Sequence, residues 1–215
     1  LIYIKQLVDK QVSANASFLD LNVDEISWKL DEQKAAMEWL VNTVQEMTDL
    51  PLSIDSSNVE VISSGLSAYN SKKNRPMLNS ASLERIDALD LALKHDARVV
   101  VTAAGESGMP SGPEERVENV SRMVEAALEK GFMLGDLFVD PLVFPASVDK
   151  NFGSHCLDAI REIRRKYGPD IHITGGVSNA SFGIPGRRLI NEIFLILSVE
   201  AGADGGIIDP VLSNP

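Results

Sequence analysis

From Ser17 onward the chain alternates short, β-rich apolar runs with longer stretches of helical period, and no other feature narrows its folding options as far. The strand candidates are SFLDLN (17–22), PLSID (51–55), RPMLN (75–79), RVVVTA (98–103), DLFVD (136–140), IHITG (171–175) and DGGIID (204–209). Helical periodicity occupies 31–47, 58–66, 83–95, 114–130, 155–167 and 187–201. A further amphipathic helix, with Ile4, Leu7, Val8 and Val12 on one face, precedes the first strand. Parallel neighbours need a crossover connection and have both sheet faces buried, so this order predicts a parallel sheet covered by helices. Seven strand units preceded by a helix fit an α/β TIM (β/α)8 barrel lacking its first strand and last helix. On that reading the chain, which starts at Leu1, is a fragment without its N-terminal strand. A doubly wound open sheet satisfies the same alternation, because periodicity does not report closure.

The 215 residues are 44% hydrophobic, and no Pro/Ser-rich linker or composition shift divides them, which predicts a single domain over 1–215. Ser82 reads as a helix N-cap, and Pro113 with Glu114 as a first helical turn. The single cysteine, Cys156, excludes an intrachain disulfide and reads as a packed thiol. A net charge of -11 repels phosphate backbones, and no Lys/Arg stripe interleaves with aromatics, so nucleic acid is not an expected partner. Apolar runs such as LFVDPLVF are too short to span a bilayer, and the N-terminus lacks signal-peptide order; the expectation is a cytoplasmic protein without membrane contact.

Polar residues mark the ends of several strand candidates: Asp20 and Asn22, Asp55, Asn79, Asp140 and Asp209, with Asn179 a few residues past its strand. In a parallel sheet or barrel these carboxyl ends gather on one face, so residues far apart in sequence can meet around one ligand. Each also has a local alternative: Asp55 and Asn79 precede helix-start sequences and could be caps, and Asp209 could cap a final helix. Asp140 precedes Pro141, which removes the usual turn donor and favours a functional role. Carboxylates and carboxamides without clustered histidines suit a neutral heterocycle with an N–H edge, such as a 2-aminopyrimidinone. His95, His155 and His172 lie in separate elements with no metal-ligand spacing, which predicts no metal bound by this chain. No G-x-S-x-G elbow, P-loop or G-x-G-x-x-G occurs. The GESGMPSG segment (105–112) reads as a mobile loop rather than a phosphate cradle.

FLDLNVD (18–24), PLSIDSSN (51–58), MLNSAS (77–82), LFVDPLVFP (137–145) and GGVSNASFGIPGRRLINEIFL (175–195) together resemble the pterin-binding methyltransferases. That group includes methyltetrahydrofolate:corrinoid/iron-sulfur protein methyltransferase, methylcorrinoid:tetrahydrofolate enzymes and the folate module of cobalamin-dependent methionine synthase. The resemblance implies a TIM barrel and methyl transfer between N5 of tetrahydrofolate and the cobalt of a corrinoid, with the pterin held at the carboxyl-terminal mouth. It implies that Asp55, Asn79 and Asp140 hold the pterin, that Asn179 faces N5 as the catalytic group, and that Arg187 belongs to the same loop. Asn22, Gly176 and Ser178 complete the candidate pterin-binding set. Tetrahydrofolate or its methyl derivative would be the substrate. No D-x-H-x-x-G corrinoid signature occurs, so the corrinoid is expected on a partner protein; a homodimer is a further implication of the family. Phe182 stands where the acetogenic branch has a polar residue, and SFG is closer to the methionine synthase branch. Two other functions remain open: dihydropteroate synthase, whose usual lysine after the seventh strand is absent from GGVSN, and a non-catalytic pterin-binding subunit.

Overall fold

The computed structural model describes residues 1–212. Strands and helices alternate along them: α1 (Ile2–Ser13), β1 (Leu19–Asn22), α2 (Leu30–Gln45), β2 (Leu52–Asp55), α3 (Val59–Ala68), β3 (Met77–Ala81), α4 (Ala88–Lys94), β4 (Arg98–Thr102), α5 (Pro113–Glu129), β5 (Leu137–Asp140), α6 (Phe152–Tyr167), β6 (His172–Ile173) and α7 (Arg187–Ala201). Two compact units are distinguishable, one formed by Leu1–Ala81 with Asp87–Val99, the other by Ser82–Ile86 with the chain from Val100 onward.

In the first unit β1 pairs in parallel with β2, and β2 with β3. Along β1, Leu19 and Leu21 are buried while Asp20 and Asn22 point the other way, the two-residue period of a strand with one core face. Leu52 and Ile54 of β2 and Met37, Val41, Val61 and Ile62 of α2 and α3 complete this core. Gly65 permits the close approach of α3, since a Cβ there would stand 2.6 Å from Ile54 Cγ2 and 2.8 Å from Met37 Cγ. The register sets Asn22 beside Asp55 and Asp55 beside Asn79, so the ends of β1 and β2 and the middle of β3 place a polar residue in one row.

In the second unit β5 pairs in parallel with β6, with Phe138 opposite His172 and Val139 opposite Ile173. Val120, Met123 and Val124 of α5, Ile160 and Ile163 of α6, and Phe194 and Leu195 of α7 are buried with Leu137, Val139 and Ile173 of the strands. Arg164 of α6 clamps this end: Nε donates to Gly202 O at 2.9 Å, Nη1 to Ile171 O at 2.9 Å and Nη2 to Asp204 Oδ2 at 2.6 Å. Asp204 Oδ2 also accepts from Ile173 N at 2.7 Å.

Four expectations change. DGGIID (204–209) is not a strand; its backbone meets the β6 segment through Asp204 N to Ile173 O at 2.9 Å and Ile207 N to Gly175 O at 2.8 Å, with Gly205 and Gly206 between. Two adjacent glycines have too little side chain to hold a regular ladder. Periodicity over 83–95 resolves into a 3-10 turn, Leu83–Arg85, and α4; Ser82 precedes the turn without a side-chain cap bond. Of the apolar face expected on α1 only Val8 is buried, and Leu7 and Val12 are exposed. Asp209, which could cap a final helix, accepts from Val211 N at 2.9 Å in what is, among the described residues, a turn. Among the described residues, no helix is long and apolar enough to cross a membrane.

Candidate functional site

β1, β2 and β3 carry an acidic cluster in which Asp20 and Asn22 are exposed, Asp55 half-buried and Asn79 buried. Asn22 Nδ2 donates to Asp55 Oδ2 at 2.9 Å, and Asn79 Nδ2 donates to Asp20 Oδ1 at 3.3 Å. Asp24 N donates to Asn22 Oδ1 at 2.8 Å, orienting that amide so that its NH₂ faces Asp55. Asp55 caps no helix: Asn58 caps α3, accepting from Glu60 N at 2.9 Å. Asp24 binds the intervening turn, accepting from Ser57 N at 2.7 Å and from the Ser56 hydroxyl. Asn79 lies within β3 and is no cap either.

Desolvation, then the charge of Asp20, pushes the Asp55 carboxyl up to about 6, against the opposing bond from Asn22. Asp20 is also raised by desolvation, and hydrogen bonds from Ser53, Asn79 and Asp55 oppose the rise. Asp20 and Asp55 therefore share one proton before both ionise, because two adjacent carboxylates resist ionising together. Such a pair offers a ligand both an acceptor and a donor. Asp20 belongs to the cluster as fully as Asn22; its place two residues before Asn22 on the same strand face was the signal for it.

In the second unit Asp140 ends β5. Asp140 Oδ1 accepts from Leu142 N at 2.8 Å, the carboxyl also accepts from Gly176 N, and its backbone oxygen accepts from Ala103 N at 2.9 Å. Pro141 thus does not deprive Asp140 of a turn donor: Leu142, with φ 65°, supplies one from the next position. Burial pushes Asp140 up to about 6, and the two backbone N–H groups restrain the rise. Gly175 is required here, because a Cβ would stand 2.8 Å from Asp140 Oδ1.

After β6 the chain makes a 3-10 turn over Val177–Ser181, with Asn179 exposed. Asn179 N donates to Gly176 O at 3.0 Å, and its Nδ2 lies 2.9 Å from where a Cβ on Gly176 would stand, so glycine leaves room for that amide. Arg187, at the start of α7, bolts the turn down: Nε donates to Ser181 Oγ and Nη2 to Ser178 O, both at 3.1 Å. It also stacks beside Phe182, 5.9 Å from the ring centroid. Ser178 thus contributes its carbonyl to loop architecture. Cys156 is wholly buried and its thiol is pushed up to about 12, which leaves no reactive thiolate. The 105–112 segment is tied to α5 through Glu106 and Arg122 at 2.6 Å and through Ser111 Oγ and Glu115 at 2.7 Å. Among the described residues, no three His, Cys, Asp or Glu side chains gather where they could hold a metal ion.

The sequence profile described as pterin binding enzyme matches residues 4–209. The chain belongs to the pterin-binding enzyme family. It is 31% identical over 214 residues to a methylcorrinoid:tetrahydrofolate methyltransferase of Eubacterium limosum, covering 97% of this chain and 76% of that protein. It is 28% identical to the methionine synthase of Mycobacterium leprae over 92% of this chain, which spans 17% of that longer protein. Among solved structures, dihydropteroate synthase from Xanthomonas albilineans in complex with 7,8-dihydropteroate superposes with TM-score 0.74 at 17% identity, covering 97% of this chain and 79% of the synthase. Dihydropteroate synthase of Yersinia pestis gives 0.69 at 17% identity, covering 96% and 82%. At such identities the likeness establishes the TIM-barrel fold class of this pterin-binding enzyme and is silent on its chemistry.

Proposed function

We propose that this pterin-binding enzyme moves a methyl group between N5 of tetrahydrofolate and the cobalt of a corrinoid carried by a separate protein. The observation that carries the reading is the 31% identity to a methylcorrinoid:tetrahydrofolate methyltransferase over 97% of the chain. In this reading Asp140 accepts hydrogen bonds from the pyrimidinone edge of the pterin, and Asp55 and Asn79 are the pterin-binding candidates of the first unit. Asn22 orients Asp55, Gly176 and Ser178 shape the loop, and Arg187 holds that loop in place. Each charge-assisted bond contributes about 1.5–3 kcal/mol, so two or three suffice to orient the ring.

Asn179 is the catalytic group. N5 is a poor leaving group until its developing charge is stabilised, and a carboxamide hydrogen-bonded to it lowers the barrier to in-line displacement. The corrinoid supplies or receives the methyl group, which relieves this chain of any need for its own nucleophile. The protein is taken to act in the cytoplasm as a homodimer; sedimentation velocity measures the latter. The deciding assay is methyl transfer from methylcobalamin to tetrahydrofolate by wild type and Asn179→Ala. The reading expects a loss of roughly 10²-fold in kcat for the variant; an unimpaired variant overturns the role of Asn179. Condensation of a pterin pyrophosphate with p-aminobenzoate without any corrinoid would replace methyl transfer by the synthase reaction.

A further inference from the structure

Arg116 occupies the fourth position of α5 and is 0% exposed. A cation near the start of a helix faces the positive end of the helix dipole, and a buried cation costs several kcal/mol unless compensated. Its hydrogen bonds go to backbone carbonyls: Nε donates to Pro141 O and Nη1 to Gly112 O, both at 3.0 Å. The guanidinium carbon lies 4.7 Å from the Phe144 ring centroid, and Nη2 is buried without a bond. An apolar side chain of similar length would fill this space without the cost of a half-satisfied charge.

What the arginine holds explains its presence. The Pro141 carbonyl and the Leu142 N–H belong to one planar trans peptide and point in opposite directions. Arg116 grips the carbonyl end, while the N–H end donates to Asp140 Oδ1 at 2.8 Å. We propose that Arg116 is a positioning residue for Asp140, acting through the Pro141–Leu142 peptide. The guanidinium fixes the plane of that peptide and polarises it, so the Leu142 N–H becomes a stronger donor and holds the carboxyl both anionic and aimed. The titratable group facing Asp140 is Cys156 from α6, which Arg116 from α5 also faces; the end of β4 and the turn after β6 meet Asp140 with the backbone N–H groups of Ala103 and Gly176.

The inference rests on the pterin reading only for what Asp140 then binds, and two readouts separate the two. The first is a carboxyl ¹³C NMR titration of Asp140, assigned with Asp140→Asn, in wild type, Arg116→Lys and Arg116→Met. The midpoint is expected to rise by about half a pH unit in Arg116→Met and by less in Arg116→Lys, which keeps the charge but not the fork. The second is the pH dependence of tetrahydrofolate binding, whose acid limb moves upward by the same amount. An unmoved Asp140 midpoint in folded Arg116→Met overturns the inference, even if binding is intact. A moved midpoint in a protein that binds no tetrahydrofolate supports the inference and sinks the pterin reading. Should Arg116→Met not fold, Arg116→Lys decides alone, and an unchanged midpoint there overturns the proposal. Should neither fold, the wild-type Leu142 amide resonance decides: it must follow the titration of Asp140, and a resonance that stays still overturns the proposal.

Discussion

The acidic cluster on β1–β3 and the single carboxylate at the end of β5 arrive at a similar acidity by different means. Asp55 is raised to about 6 by desolvation helped by a second carboxylate, Asp20. Asp140 is raised to about 6 by burial alone, with two backbone N–H groups opposing it. The first is tuned by a neighbour's charge and answers to a change in that neighbour. The second is set by packing and by the peptide groups around it, and answers to what holds those groups. Two carboxyls alike in acidity therefore differ in what controls them.

That contrast makes ordered predictions. On the proposed function, the largest effect belongs to Asp140→Asn, which exchanges one of the two carboxylate acceptors for an N–H donor; tetrahydrofolate affinity by calorimetry should fall about 100-fold, against about 10-fold for Asp55→Asn. Equal losses would erase the distinction. Gly175→Ala comes next: the added Cβ meets Asp140 Oδ1 at 2.8 Å, and displacing that carboxyl should weaken binding about 10-fold with little change in the cluster on β1–β3. Asp20→Asn should leave Asp140 alone and let Asp55 titrate lower, moving one acid limb of the binding profile down by about one pH unit. A profile identical to wild type would remove Asp20 from the control of Asp55.

The smallest effect is on stability, and its sign follows from linkage. Folding raises Asp55 from 3.8 to about 6, so the native state binds the extra proton and stability falls as pH rises through that window. Asp55→Asn escapes this loss. With the partial solvent access discounted, it should gain about 1 kcal/mol at pH 7, or about 2–4 °C in Tm, and nothing at pH 4. A thermal melt at the two pH values checks it, and a variant less stable at pH 7 would mean that Asp55 contributes to folding as well as to the site.

Much of this was legible in the residues. Asn22, Asp55 and Asp140 announced themselves because each closes an apolar run at the end of its strand, and Asn79 because it interrupts one inside β3. The seventh strand was misread because DGGIID has strand-like isoleucines but its paired glycines weaken a ladder, which composition alone does not weigh. The α1 face was misread because periodicity reports amphipathicity without saying what covers the apolar side. Pro141 was read as removing a donor, when the Asx-type bond skips it and uses Leu142. Arg116 left one trace, a cation in the first turn of PEER where the helix dipole disfavours it. Its partner is a carbonyl 25 residues away, and no local pattern encodes that.

Arg164 and Asp204 have a consequence for motion. The strand that precedes Asn179, β6, is two residues long, too short for its ladder bonds alone to resist opening. Its Ile173 amide is bonded to the Asp204 carboxylate, which Arg164 in turn holds. Local opening here must break an ion pair, and ion pairs weaken with added salt while apolar packing does not. Hydrogen exchange at Ile173 should therefore quicken with ionic strength when exchange at the core of β5 does not, making salt the experimental handle on how often the Asn179 loop loosens.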